Sequence, residues 1–422
     1  MSLIVTAGRS LPKPVRRFLE TEAAGGVVLV VAAIVALVWA NVWPHSYESL
    51  LHTSVSLRVG TFGFEGDLHH FVNDGLMAVF FFVVGLEIKR ELVAGDLRDP
   101  RAAALPALGA VGGMVVPALL YLAVAGDGGW GIPMATDIAF AVGVLALLGS
   151  RVPAAAKLFL LSLAIVDDMG AIAVIAIFYS DGVEGVALLL AAVAAIGALV
   201  LRRAGVHWGP LHLGLGVACW LAMFESGVHA TIAGVLFGLL TPARPLSPGA
   251  LTADWAQDLS DEPTAHELRQ MHAIARESVS PADRIEQLLH PLSSFVIVPL
   301  FALANAGVQI DTGALDGSMP VVAGVVLGLV VGKPLGIIAA VWLGVRLRLV
   351  SLPSGVTWGT ILGVGAVAGI GFTVSLFVSE LAFDDAGSVE AAKLAVLVAS
   401  LLASAVGAAI TWRVAARARS AG

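Results

Sequence analysis

Residues 157–179 read KLFLLSLAIVDDMGAIAVIAIFY, an apolar run long enough to cross a bilayer with two adjacent carboxylates, Asp167 and Asp168, at its eleventh and twelfth places. A hydrocarbon core of about 30 Å takes about 20 helical residues at 1.5 Å each. The pair therefore falls near the midplane, where one charged side chain costs about 2.5–3.5 kcal/mol on insertion scales. Adjacent residues on a helix point about 100° apart. One aspartate can thus look at an ion path while its neighbour meets a partner.

The rest of the 422-residue chain has the same character: 58% apolar and 13% charged, against roughly 25% charged for a soluble domain. The runs are continuously apolar rather than alternating, which selects helices over a β-barrel. Twelve spans are predicted, near 25–43, 71–89, 102–125, 132–149, 157–179, 185–201, 211–224, 228–241, 291–308, 320–343, 357–380 and 393–412. The fold class is all-α and polytopic. The domains read as a basic N-terminus at 1–24, a membrane domain at 25–412 and a tail at 413–422. The first run is too long for a signal-peptide core and is read as a retained span.

Lys and Arg set the orientation, because short loops rich in them stay in the cytoplasm. With a cytoplasmic N-terminus, 21 of the 24 lie on the cytoplasmic side, so both termini and an even span count are expected there. Residues 242–290 form a polar cytoplasmic loop whose Ser280-Pro281-Ala282-Asp283 signals a helix start leading into the ninth span. In 53–64, alternating Val55, Leu57, Val59 and Phe62, Phe64 flank Gly60-Thr61, a type II′ hairpin pattern. A lone hairpin is marginal in water, so it is expected to pair with a second copy in a homodimer or to cap its own chain. The net charge of -7 discourages nucleic acid as a partner. A single cysteine, Cys219, excludes a disulfide framework.

Two further charges interrupt apolar spans. Lys333 sits mid-span in Gly332-Lys333-Pro334 and needs a carboxylate nearby. Asp137 follows Pro133, and an extended stretch there carries it deeper than a helix would. This predicts a broken fourth span, matched in the eleventh by Gly369-Ile370-Gly371-Phe372-Thr373. Paired interrupted spans are the sequence pointer to inverted repeats around an ion site, here the third to fifth and tenth to twelfth spans. The charges read either as a structural salt bridge or as a transport site. Three acids against one base favour the second, since the excess calls for a cation or protons. Carboxylate oxygens suit hard ions such as sodium, and Na+ or Li+ is expected at Asp167 and Asp168 with no resident cofactor. A channel would share these acids but lacks broken spans. An aspartyl hydrolase would need converging rather than diverging carboxylates.

The chain resembles the NhaA-type sodium/proton antiporter family over essentially its whole length. The resemblance rests on Asn73-Asp74-Gly75-Leu76-Met77, Gly85-Leu86-Glu87-Ile88-Lys89-Arg90-Glu91, Ala135-Thr136-Asp137-Ile138-Ala139-Phe140, Asp167-Asp168, Gly227-Val228-His229-Ala230-Thr231, Leu303-Ala304-Asn305-Ala306-Gly307, Gly332-Lys333-Pro334 and Gly371-Phe372-Thr373. It implies crossed discontinuous fourth and eleventh helices, a dimer joined by a hairpin, and a multi-pass protein of the bacterial inner membrane. It implies electrogenic Na+(Li+)/H+ exchange serving pH homeostasis and salt tolerance. Asp167 and Asp168 would carry cation and protons, Thr136 and Asp137 would balance facing helix ends, and Lys333 would pair with Asp167 or compensate the other ends. Asp74 would be an acid at the external end of the second span. Glu87, Arg90, Glu91, Glu286 and His290 would form a pH-controlling cytoplasmic funnel, with His229 a further modulator or a core histidine. Gln287 departs from the pattern, since histidine is common there and titrates between pH 5 and 8. His69-His70 is read as doing nothing rather than holding a metal.

Overall fold

The computed structural model describes residues 13–59, 62–180, 182, 184–206, 208–245, 278–310, 317–353 and 355–420, with isolated positions between 264 and 277. The hairpin turn Gly60-Thr61, the first twelve residues and most of the 242–290 loop lie outside the described residues.

Each of the twelve expected spans has a helical counterpart. Eight are long: Ala24–Val42, Leu68–Ala94, Pro100–Ala125, Ala154–Phe178, Gly185–Arg203, Pro281–Asn305, Met319–Arg346 and Ala386–Arg417. The eleventh is a pair, Trp358–Ala368 and Phe372–Ala382, bent by 48°. Shorter apolar helices Ile132–Leu147, Gly209–Glu225 and Thr231–Leu240 supply the fourth, seventh and eighth. Between the last two, Gly227 takes a positive φ of 76°, the left-handed turn that the expected tight link needs.

The chain divides into two compact units. One contains the described parts of Met1–Thr53, Pro100–Tyr179 and Ser294–Gly422, and so holds both predicted repeats. Their packing repeats as well. The third span lies on the fifth as the tenth lies on the twelfth, and the fourth touches the twelfth as the eleventh touches the fifth. The third and tenth spans meet at Gly112 and Gly336, where a methyl on either glycine would collide with the other's carbonyl oxygen. Small residues permit this backbone approach, on which membrane helix pairs depend.

The tenth span is not a uniform helix. A π-helical turn, Gly328–Gly332, separates Met319–Leu327 from Lys333–Arg346. Pro334 has no N–H to give the preceding turn, and the wider turn accommodates the missing bond. Similar turns occur at Phe71–Leu76 and Ser293–Ile297, features that apolar periodicity does not reveal.

The other unit contains Ser54–Asp99 and Ser180–Ser293. Strand β1 (Ser54–Val59) pairs antiparallel with β2 (Phe62–Asp67), with Val59 opposite Phe62. That register leaves two residues for the turn, as the alternation predicts. Helix Met77–Ala94 packs closely on Thr231–Leu240, where a Cβ on Gly85 would stand 2.7 Å from the Val235 carbonyl oxygen. Ser280 caps Pro281–Leu292 by accepting the Asp283 N–H at 3.1 Å, which confirms the start signal.

Candidate ion-binding site

The fourth span breaks because a 3-10 turn around Pro133, Ile132–Met134, gives way to Ala135 (φ -80°, ψ 154°), which is extended. Asp137 then caps Ile138–Leu147, accepting the Phe140 N–H on Oδ1 at 2.9 Å. The eleventh span breaks at Gly369-Ile370-Gly371, where a side chain on Gly369 would strike the Leu329 carbonyl. The two breaks meet: the Asp137 N–H donates to the Ile370 carbonyl at 2.7 Å. Asp137 Oδ2 accepts from Thr373 N at 3.1 Å and Thr373 Oγ1 at 2.8 Å. One carboxylate thus caps two helix starts, and their positive ends stabilise its charge.

Asp167 and Asp168 come from the middle of Ala154–Phe178, about 20 Å along it at 1.5 Å per residue. Asp167 is wholly buried, and its Oδ2 pairs with Lys333 Nζ at 2.6 Å. The ammonium also donates to the carbonyl of Met134, the last residue of the 3-10 turn. Lys333 thus contacts both the Asp167 carboxylate and the carbonyl end of the 3-10 turn in the fourth span. Thr136 Oγ1 lies 2.7 Å from Asp167 Oδ2 and 2.9 Å from the Ala368 carbonyl, at the end of the other helix half. A hydroxyl has one proton. It donates to a charged Asp167, or it donates to Ala368 and accepts from a protonated Asp167, so both forms of the acid find a partner.

The charges do not balance. Asp137 is held by helix ends and Asp167 by Lys333. Asp168 is 7% exposed, and its buried Oδ1 has no hydrogen-bond partner among the described residues. A buried carboxylate oxygen without a donor is costly, and a proton or a hard cation removes that cost.

The remaining sequence-predicted residues belong to the other unit, where two pairs of them meet. Arg90 forms an ion pair with Glu286, which is buried, and His290 Nε2 stands 3.9 Å from Glu87 Oε1. Glu91 Oε1 accepts the Asp96 N–H at 2.7 Å, closing the end of its helix. Gln287 is exposed. Asp74 lies in the π turn at the start of the second span, and its carbonyl accepts the Trp220 indole N–H at 2.9 Å. His229 is half-buried just before Thr231–Leu240.

Two groups were not singled out in the sequence as site residues. Thr373 appeared only within a motif, although a threonine just after a glycine break is a natural partner for a facing acid. Counting charges treats Lys393 as an extramembrane lysine, yet it is 8% exposed, ion-paired with Glu380 and 3.4 Å from Asn305 Oδ1. Opposite charges flanking the short link between the last two spans were the available signal.

A charge-unbalanced acid cluster between two broken helices, inside an all-helical multi-span chain, defines a transporter of ions rather than an enzyme. Comparison with known sequences agrees. The family model described as Na+/H+ antiporter 1 matches residues 16–411. The chain is 48% identical to "Na(+)/H(+) antiporter NhaA 2" of Myxococcus xanthus, covering 96% of this chain and 90% of that protein. It is 48% identical to "Na(+)/H(+) antiporter NhaA" of Rhodopirellula baltica (94% and 92%) and 47% to "Na(+)/H(+) antiporter NhaA 3" of Frankia alni (93% and 87%). The chain belongs to the NhaA-type Na+/H+ antiporter family.

Proposed function

We propose that this chain extrudes Na+ or Li+ in electrogenic exchange for protons, with cation and proton competing at Asp167 and Asp168. The observation that carries this reading is the unpartnered Oδ1 of buried Asp168 beside an Asp167 already paired with Lys333. With a cation bound, both carboxylates turn oxygens toward it and Lys333 loses its hold on Asp167. On its release one proton returns to Asp168 and a second to the Lys333–Asp167 pair, which gave one up when the cation bound, and the pair closes again. More than one proton per cation makes the exchange electrogenic, so the proton gradient drives sodium outward and supports salt tolerance and pH homeostasis.

The acids and bases Glu87, Arg90, Glu91, Glu286 and His290 are assigned to control by pH, Asp74 to the external entrance and His229 to modulation. The placement of 21 of 24 Lys and Arg on one side supports a multi-pass protein of the bacterial inner membrane with both termini in the cytoplasm. The hairpin at 53–64 is assigned to a homodimer contact.

The test is a reconstituted vesicle with a preset, acid-inside proton gradient reported by a quenched dye. Adding Na+ or Li+ should restore fluorescence for the wild type and leave it quenched for Asp168→Asn. Recovery in the variant overturns the site assignment, and a silent wild type from neutral to alkaline pH overturns the exchange.

A further inference from the structure

The hairpin runs into the second span through Asp67-Leu68-His69-His70. Asp67 ends β2, opposite Ser54 in the ladder, and turns the chain into a helix by accepting the His70 N–H on Oδ1 at 2.9 Å. The same oxygen lies 2.8 Å from His70 Nδ1. The two imidazoles stand edge to face, with centroids 6.2 Å apart, and His69 Nε2 is 3.5 Å from Asn73 Nδ2. One ligand atom from each of Asp67, His69 and His70 falls within 4.8 Å of the other two.

Capping requires the carboxylate alone and does not explain the imidazoles. Adjacent residues on a helix point about 100° apart, so two consecutive histidines diverge unless the turn bringing them in from the strand aims both at one point. Here His70 Nδ1 meets the capping oxygen, and a nitrogen of His69 lies within 4.8 Å of both the Asp67 carboxylate and the His70 ring. One carboxylate oxygen with two imidazole nitrogens is a donor set for borderline divalent transition ions, which sit about 2.0–2.2 Å from such atoms. It suits hard ions such as Na+ poorly.

We propose that Asp67, His69 and His70 form a binding site for a divalent transition-metal cation of the Zn2+ class, with a fourth position open to water. His70, with its side chain 65% exposed, has room to swing onto the ion. Binding ties the last residue of the hairpin to the first turn of the second span, and stabilises that junction by mass action.

The test titrates ZnCl2 calorimetrically into the purified, tag-free full chain and into a His69→Ala/His70→Ala variant that keeps the Asp67 cap. The wild type should bind one Zn2+ that the variant binds about tenfold or more weakly, with Na+/H+ exchange intact in both. Asp67→Asn, which retains a capping oxygen, should also weaken binding. Should the double variant fold poorly, His70→Gln alone carries the same expectation, and X-ray absorption of the wild type should report a nitrogen and oxygen shell. Equal zinc isotherms for wild type and variants, or no stoichiometric uptake, overturns the proposal.

Discussion

Replacing Asp137 with alanine removes the shared cap of two helices. Its carboxylate accepts from Phe140 N, Thr373 N and Thr373 Oγ1. Loss of an N-cap costs about 0.5–2 kcal/mol, and Asp137→Ala removes two, for about 1–4 kcal/mol. The sites are buried, at 3% exposed for Asp137 and 4% for Thr373, so water does not replace the lost acceptor and the upper part of that range is expected. Asp137→Asn keeps one carbonyl oxygen, so it can serve Phe140 or Thr373 but not both, and should cost about half as much. Thr373→Val gives up only the hydroxyl bond, about 1 kcal/mol, and leaves the Thr373 N–H capped. Thermal unfolding of the purified proteins in one detergent should rank them wild type, Thr373→Val, Asp137→Asn, Asp137→Ala. An Asp137→Ala protein as stable as wild type, or a Thr373→Val protein as damaged as Asp137→Ala, would refute the shared cap.

Lys393→Met removes the ion pair with the partly exposed Glu380 and should cost about 1–3 kcal/mol, whereas the double variant Lys393→Met/Glu380→Met should recover part of that loss, as a double-mutant cycle will show. Gly336→Ala drives a methyl into the Gly112 carbonyl and should cost about 1–3 kcal/mol or more while loosening Lys333 one turn away; unchanged unfolding and exchange would contradict the close crossing. Gly197→Ala adds a methyl with nothing within 4 Å of it and should stabilise by about 0.4–1 kcal/mol.

The spans were legible because lipid imposes one rule on all of them, and even the short seventh and eighth appear as apolar runs parted by Gly227. The ion pair was legible from charge balance: Lys333 in lipid must find an acid, and only three lie within spans at comparable depth. Its choice of Asp167 over Asp168 came only from the family resemblance, since in charge and depth the two differ only by rotation about a helix. The broken spans could be read from Pro133 and from Gly369-Ile370-Gly371, but the way one carboxylate joins them depends on a crossing between distant segments. The three π turns stayed hidden because a single inserted residue barely alters an apolar run. Lys393 and Glu380 were missed because each, taken alone, looks like an ordinary helix-end charge.

The shared cap also orders the molecule's assembly in time. Asp137 and Thr373 are 236 residues apart, and a ribosome adding about 5–20 residues per second needs roughly 10–50 s to make the second after the first. The fourth span must wait in the nascent protein with its aspartate holding one helix, and the fifth with Asp167 lacking its lysine until residue 333 emerges. The acid cluster exists before its counter-charge, and the break in the eleventh span is the last piece to close it.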